Sequence, residues 1–312
     1  MDDNAPATAA TLRAPVSVTI DGSGNLLIND KGNQRIRRVD SATGIITTIA
    51  GGGRPETGVG DGGPATGATF SDPSGHIGLD ESGNLYIADR YNYQIRKVDI
   101  VTKIITTVAG IGQPQSSGDG GQARDAGVLP DDVALDRSGN LYFVENETRR
   151  VRKVNLPTGI ITTVVGGLGS SLQIAVDSAG NLFIADYDNG QVRKMNAATG
   201  IMTTVAGGGT SYAENQVATS VSLLPIAVDI DASGNLYIID YFYPIGIRRV
   251  GASTGRITTI AGSDRQDDLG DNGPALGASL YYPHGVAIDG GGNIFIADTD
   301  NERIRAVRGP IP

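Results

Sequence analysis

The stretch Gly83-Asn84-Leu85-Tyr86-Ile87-Ala88-Asp89 decides the reading of this chain, because the sequence writes it six times. The other copies are Gly24–Asp30, Gly139–Glu145, Gly180–Asp186, Gly234–Asp240 and Gly292–Asp298, with starts 59, 56, 41, 54 and 58 residues apart. Each copy sits in a larger shared unit of about 40 residues, the size of one supersecondary repeat. The uneven spacing comes from one loop that changes length between units.

Outward from the quoted stretch, each unit reads as four short strands. The first closes on an acid, as in Val18-Thr19-Ile20-Asp21, Val133-Ala134-Leu135-Asp136 and Val286-Ala287-Ile288-Asp289. A turn such as Ser82-Gly83-Asn84 leads into the second strand, and Ile36-Arg37-Arg38-Val39 or Ile95-Arg96-Lys97-Val98 is the third. After Ala42-Thr43-Gly44 comes a fourth, Ile45-Ile46-Thr47-Thr48-Ile49-Ala50. β-Branched residues in alternation suit strands, and Gly-Asn and Thr-Gly suit hairpin turns. No stretch keeps a 3.6-residue period long enough for a helix. The 45 glycines are about twice the ordinary share of roughly 7%, which fits that many turns.

First strands carry Val or Ile on one face and Ala, Gly or Thr on the other, which suits sheets stacked face to face around an axis. A solenoid would add one or two strands per turn and not a four-stranded meander. The expected fold is all-β, a six-bladed β-propeller of four-stranded antiparallel blades forming a single domain over residues 1–312. Its blades should lie near 12–50, 70–109, 128–165, 171–206, 223–261 and 281–308.

Fourth strands are readable at 45–50, 104–109, 160–165, 201–206 and 256–261, but none follows the sixth unit. The opening Asp3-Asn4-Ala5-Pro6-Ala7 resembles the connector Asp271-Asn272-Gly273-Pro274-Ala275, which elsewhere follows a fourth strand. Twenty-three strands are therefore expected, and the sixth blade should lack its outer one. Either the chain is cut from a longer protein or that blade has three strands by nature. In both cases Ile304, Arg305, Ala306 and Val307 should offer an edge that invites pairing with another chain.

The string Gly60-Asp61-Gly62-Gly63-Pro64-Ala65, Pro73, Leu79-Asp80, the quoted stretch, Gln94-Ile95-Arg96-Lys97-Val98 and Ile105-Thr106-Thr107-Val108-Ala109-Gly110 resembles the NHL repeat of bacterial proteins. The resemblance covers nearly the whole chain and implies the propeller. It says little about function, because such propellers host binding, scaffolding and catalysis alike.

Composition narrows the partners. With 34 acidic against 25 basic side chains the net charge is −9, which argues against nucleic acid. There is no cysteine, so disulfides and thiolate metal sites are out. No apolar run is long enough to span a membrane, and Met1-Asp2-Asp3-Asn4 does not begin a signal peptide. A secreted parent would need a signal outside this chain.

Each unit pairs an acid ending strand two with an arginine in strand three, from Asp30 and Arg37 to Asp298 and Arg305. Repetition in all six units points to structural ion pairs or turn caps. The Gly-Asp-Gly-Gly-Pro-like loops at Asp61, Asp119 and Asp271 supply one carboxylate each, which suits a turn better than a calcium loop.

The two histidines, His76 and His284, stand near the start of first strands, with Asp131, Asp132 and Gln173 at the corresponding place in other units. By resemblance this is the upper mouth of the central channel, a sensible place for chemistry. Two histidines cannot make a three-histidine zinc site, so the peptide-amidating lyases of this type are disfavoured. No metal, cofactor or catalytic residue is assigned. Asp229 also departs from the pattern, since other units place Thr, Gly or Ala there.

Aromatic residues gather in the connectors and in the loops between strands two and three, which by resemblance share the upper rim. They are Tyr91, Tyr93, Tyr187, Tyr241 with Phe242 and Tyr243, and Tyr281 with Tyr282, in a chain of 11 Tyr, 5 Phe and no Trp. Such tyrosines either bind a ligand by stacking and hydroxyl contacts or pack beneath the connectors. The short connector 166–171 should leave a low gap in the rim.

The expected function is a non-catalytic binding or scaffolding module for a protein, peptide or glycan, in an extracellular or surface setting. The alternative is a metal-dependent lactonase- or lyase-like enzyme. RNA binding, known for some animal NHL proteins, would need a basic upper face.

Overall fold

One hydrogen-bonded turn, made six times, converts the repeated sequence into repeated structure. The computed structural model describes residues 2–242, 244–263 and 269–308, without the side chains of 171 and 172. In the second unit Asp80 Oδ1 accepts the amides of Ser82 (3.0 Å) and Asn84 (2.9 Å), and its Oδ2 accepts the Asn84 side chain at 2.8 Å. Gly83 must turn through φ +82° between them, a conformation that glycine adopts without steric cost. Asn84 Oδ1 then accepts the Ile100 amide at 3.0 Å, tying this hairpin to the next one. The same acid-to-asparagine bonds recur at Asp21–Asn25, Asp136–Asn140, Asp177–Asn181, Asp231–Asn235 and Asp289–Asn293.

The fold is an all-β six-bladed β-propeller whose sheets are antiparallel meanders. Contacts divide the chain into two compact units, Met1–Gly167 and Leu168–Pro312. The first holds strands Pro15–Ile20, Leu26–Asp30, Arg35–Val39 and Ile45–Gly51, then Pro73–Leu79, Leu85–Asp89, Gln94–Val98 and Ile105–Ala109. Its third blade is Asp132–Leu135, Asn140–Glu145, Arg150–Asn155 and Ile160–Gly166. The second unit holds Ser171–Val176, Leu182–Asp186, Gln191–Met195 and Met202–Gly207, then Pro225–Ile230, Leu236–Asp240, Gly246–Val250 and Arg256–Ala261. Among the described residues its last blade has three strands, Gly285–Ile288, Ile294–Asp298 and Arg303–Val307.

Within each unit, apolar faces of neighbouring blades close on one another. In the first, Tyr86, Ile95 and Ala109 of blade two pack with Val133, Phe143 and Ile161 of blade three. Each fully buried side chain of this size contributes about 1.5–3 kcal/mol relative to exposure.

Two features go beyond the sequence reading. Among the described residues are eight single-turn 3-10 segments and two extra short strands, Ala5–Pro6 and Gln216–Val217. The short strands pair with the outer strands of blades one and five. Single bridges, Pro64 to Ile104 and Gln122 to Ile160, do the same in blades two and three. Each of these connectors therefore lies along the outer strand of the blade it is about to enter.

A buried arginine fixes that arrangement. Arg96 is fully buried and sits between Asp89 (3.2 Å), which ends the second strand, and Asp61 of the connector (2.6 Å). Arg37 joins Asp30 and Asp3, Arg152 joins Glu145 and Asp119, Arg248 joins Asp240 and Glu214, and Arg305 joins Asp298 and Asp271. The inner acid also accepts the amide just ahead of the first strand, as Asp89 does from Ser71 at 2.8 Å. Among the described residues, Arg193 of blade four, whose connector is short, is paired only with Asp186, at 3.8 Å.

Asp89 and Arg96 are both fully buried, so Asp89→Ala strands a charge and should cost about 3–5 kcal/mol. The Asp61 side chain is 43% exposed, so Asp61→Ala should cost on the order of 1 kcal/mol. Urea unfolding of both variants checks the ordering; equal losses would contradict it. Burial pushes the Glu145 pKa up, but Ser116, Arg150, the Leu129 amide and Arg152 outweigh it and hold the carboxyl below its ordinary value. A lowered folded value adds stability above the unfolded value of about 4.3, and that stability is lost as pH falls through the folded value. Glu145→Gln should therefore flatten the acid limb of the stability–pH curve, measured by urea melts at descending pH.

Candidate ligand-binding site

In the first unit, a bulge in the first strand of blade two brings two sequence-predicted residues together. The register shifts between Ser74 and Ile77, and Gly75 takes φ +64°. A Cβ on Gly75 would lie 2.2 Å from Asp132 Oδ1, so only glycine permits the approach. Asp132, fully buried, accepts the His76 backbone amide at 2.5 Å, and its other oxygen lies 3.3 Å from His76 Nδ1. An imidazole held this way is oriented as in acid–base pairs.

Asp131 beside it accepts the Asn146 amide at 2.8 Å and meets Arg90 Nε at 3.0 Å, while burial pushes its carboxyl pKa up. Arg90 also lies 5.3 Å from the Tyr91 ring, which is exposed. Nearby, Asn29 donates to the Pro73 and Gly75 carbonyls at 3.2 Å. The buried atoms Ser17 Oγ, Asn29 Oδ1 and Ser74 Oγ have no hydrogen-bond partner among the described residues. The sequence carried a signal for this polar cluster: Asn29 stands where the other repeats place Ala88, Val144, Ala185, Ile239 and Ala297.

In the second unit the aromatic residues form a cluster. Tyr241 meets Tyr282 edge-on at 5.6 Å, Tyr281 meets Tyr282 at 5.2 Å, and His284 lies 6.1 Å from Tyr241. The Tyr241 hydroxyl donates to the Pro283 carbonyl at 3.1 Å. His284 Nδ1 lies 2.8 Å from the Tyr282 carbonyl, and Gln173 Nε2 donates to the His284 carbonyl at 2.7 Å. Burial, reinforced by Asp300, Tyr282, Tyr187 and Asp298, holds Tyr241 firmly protonated, so its hydroxyl is a donor at any ordinary pH. Tyr281 is 53% exposed and Tyr282 45%.

The tyrosines named from sequence thus have different fates. Tyr187 and Tyr241 are partly buried, packed against the apolar cluster that includes Ile226, Ile239 and Ile260. Tyr93 is partly buried and occupies the left-handed end of a 3-10 turn, as Gln34 and Glu302 do in their own blades. Tyr91, Tyr281 and Tyr282 are exposed, and Tyr243 lies outside the described residues. Sequence reading passed over Tyr212, which stacks on Phe242 at 4.7 Å; its connector has no fixed pattern to mark it. Asp229 is partly exposed and accepts the Ile230 amide at 2.8 Å. Among the described residues, no three His, Cys, Asp or Glu side chains gather closely enough to hold a metal ion.

The NHL repeat family model matches residues 280–306, the sixth copy of the unit described above. That sixth copy is similar to the NHL repeat. Bovine NHL repeat-containing protein 2 is 38% identical over 99 residues, 31% of this chain and 13% of that protein. The Arabidopsis thaliana chloroplastic protein SUPPRESSOR OF QUENCHING 1 is 29% identical over 335 aligned residues, 98% of this chain and 31% of that protein. This chain therefore spans less than a third of either relative. Among solved structures, an auxiliary nutrient binding protein from Bacteroides thetaiotaomicron superposes with TM-score 0.68 at 16% identity, covering 95% of this chain and 69% of that one. A catalytically inactive virginiamycin B lyase from Staphylococcus aureus with quinupristin gives 0.60 at 14% identity, covering 98% and 87%. Likeness at this identity shows the fold.

Gly75→Ala should displace the bulge from Asp132 and cost about 1–3 kcal/mol, since both the contact and the positive φ oppose a side chain. Urea unfolding checks it; a neutral substitution would contradict the close approach.

Proposed function

We propose that this NHL-repeat propeller is a non-catalytic binding module that takes a peptide or glycan chain through exposed tyrosines. The observation that carries the reading is the cluster of Tyr281 and Tyr282 braced by Tyr241 and His284. Two exposed rings offer flat faces and hydroxyls, and the partly buried Tyr241 against Tyr282 leaves them little further entropy to lose on binding. The solved nutrient-binding neighbour, by its own description a ligand binder, lends support. An extracellular or surface setting fits the same reading; no helix among the described residues is long and apolar enough to cross a membrane.

Tyr281→Ala and Tyr282→Ala should each weaken binding to a hit from a glycan or peptide array about tenfold or more, the loss expected of an aromatic anchor. Their melting temperatures should stay within a few degrees of the parent. Unchanged affinity in both variants would refute the reading.

The second reading is a lactonase- or lyase-like enzyme, and the His76–Asp132 contact is its specific support. It lacks a ligand set for a metal among the described residues. Elemental analysis of the purified protein separates the two readings, since stoichiometric divalent metal would favour the enzyme.

A further inference from the structure

In blade three the connector acid occupies a complete carboxylate site. Asp119 Oδ1 accepts Arg152 Nε at 3.0 Å and Nη2 at 2.7 Å, while its Oδ2 accepts the Thr163 amide at 3.1 Å and the Thr163 hydroxyl at 2.6 Å. Glu214 is received similarly in blade five, with Arg248 at 3.5 Å and the Thr259 amide and hydroxyl at 2.8 and 2.7 Å. In blade one Asp3 takes Arg37 at 2.9 Å and the Thr48 hydroxyl at 3.0 Å. The receptor is the same each time: a third-strand arginine and the fourth-strand threonine opposite it. Arg37 pairs with Thr48, Arg152 with Thr163 and Arg248 with Thr259, and the register shifts just ahead of each arginine.

Blade four builds this receptor with no acid of its own to fill it. Arg193 pairs with Thr204, and the register shifts at the same place, between Val192 and Arg193. No Asp or Glu stands between Glu147 and Asp177, so the connector entering the blade carries none. That connector also takes another path, with the Gly169 amide on Asp186 at 2.9 Å and the Ser170 amide on Asp188 at 2.8 Å. Among the described residues no strand or bridge joins it to Met202–Gly207. The Arg193 side chain is therefore 29% exposed, against 0% for Arg152. Its Nε has no hydrogen-bond partner among the described residues. The Thr204 hydroxyl donates instead to Gln191 Oε1 at 2.8 Å, a neutral oxygen in the role that Asp119 plays in blade three.

We propose that Arg193 and Thr204 form a binding site for a carboxylate from outside the chain, the Asp or Glu side chain of an acidic peptide. The matching sites settle the ligand chemistry, because their occupants are side-chain carboxylates on extended segments, as in Ser117-Gly118-Asp119-Gly120. A guanidinium fork matches the two oxygens of a carboxylate, and such charge-assisted bonds are about twice as strong as neutral ones. The arriving acid displaces Gln191 Oε1 from the Thr204 hydroxyl, exchanging a neutral acceptor for a charged one. Arg193 keeps Asp186 on its inner side, so binding completes the two-acid arrangement that Arg152 has with Glu145 and Asp119. Arg193 and Thr204 are both partly exposed, which leaves the place open to a ligand.

The test is a nuclear magnetic resonance titration of the whole chain with a blocked peptide copying Ser117–Gln122, read at the Arg193 Nε–H and Thr204 amide signals. The expected result is a saturable shift of both, at low ionic strength, that salt weakens. Affinity should fall about tenfold when the peptide carries Asp119→Asn, and about tenfold in each of the protein variants Arg193→Gln and Thr204→Val. Gln191→Ala should raise it, because the Thr204 hydroxyl is then released. Melting temperatures of the variants should stay within a few degrees of the parent, since Arg193 is loosely paired. No shift, as when another acid of this chain already fills the place, would overturn the proposal. So would equal binding of the Asn peptide, or binding that Arg193→Gln and Thr204→Val both leave intact. Shifts produced by a uronic-acid oligosaccharide and not by the peptide would overturn the peptide as the source of the carboxylate. Tyr281 and Tyr282 play no part in these readouts, so the tyrosine reading stands or falls separately.

Discussion

The structure depends on an arginine in the third strand that five of the six blades pair with two acids. A guanidinium taken out of water is tolerated only when its charge and donors are matched, and Arg37, Arg96 and Arg152 are almost wholly buried. One acid comes from the neighbouring strand and the other from the segment that enters the blade. Satisfying the arginine therefore fastens the connector along the blade. The repeat is held at the places where its chain is most variable in sequence and length.

This constraint explains where the blades differ. Blade four has a short connector and, among the described residues, no second acid on Arg193, which is partly exposed and loosely paired. Blade six keeps the clamp, with Asp271 and Asp298 on Arg305, while among the described residues no outer strand pairs beside it. The clamp and the outer strand are thus separable.

Much of the fold was legible because its determinants are local. Asp80, Gly83 and Asn84 are within four residues of one another, and their bonds define a hairpin wherever the pattern recurs. The partnership of Arg96 with Asp61 was not legible, since 35 residues separate them and the loop motif reads equally well as a turn. Glu214 shows the limit more sharply, because its connector lacks the Gly-Gly-Pro signature yet performs the same role. At the candidate site, composition identified the tyrosines but could not say that Tyr241 would be covered while Tyr281 and Tyr282 stayed open. Burial is decided by the chain that passes overhead. Asn29 was readable in principle as a polar residue in an apolar column, and its neighbours Ser17 and Ser74 became meaningful only in three dimensions.

The most direct measure of the central claim is residue-level native-state hydrogen exchange across the six blades. If the clamp and the connector it holds secure each outer edge, amides of Ile105–Ala109 and Ile160–Gly166 should exchange only through global unfolding. Amides of Met202–Gly207 and the outward amides of Arg303–Val307 should exchange through local opening, well below the global free energy. Uniform protection across all six blades would contradict the account.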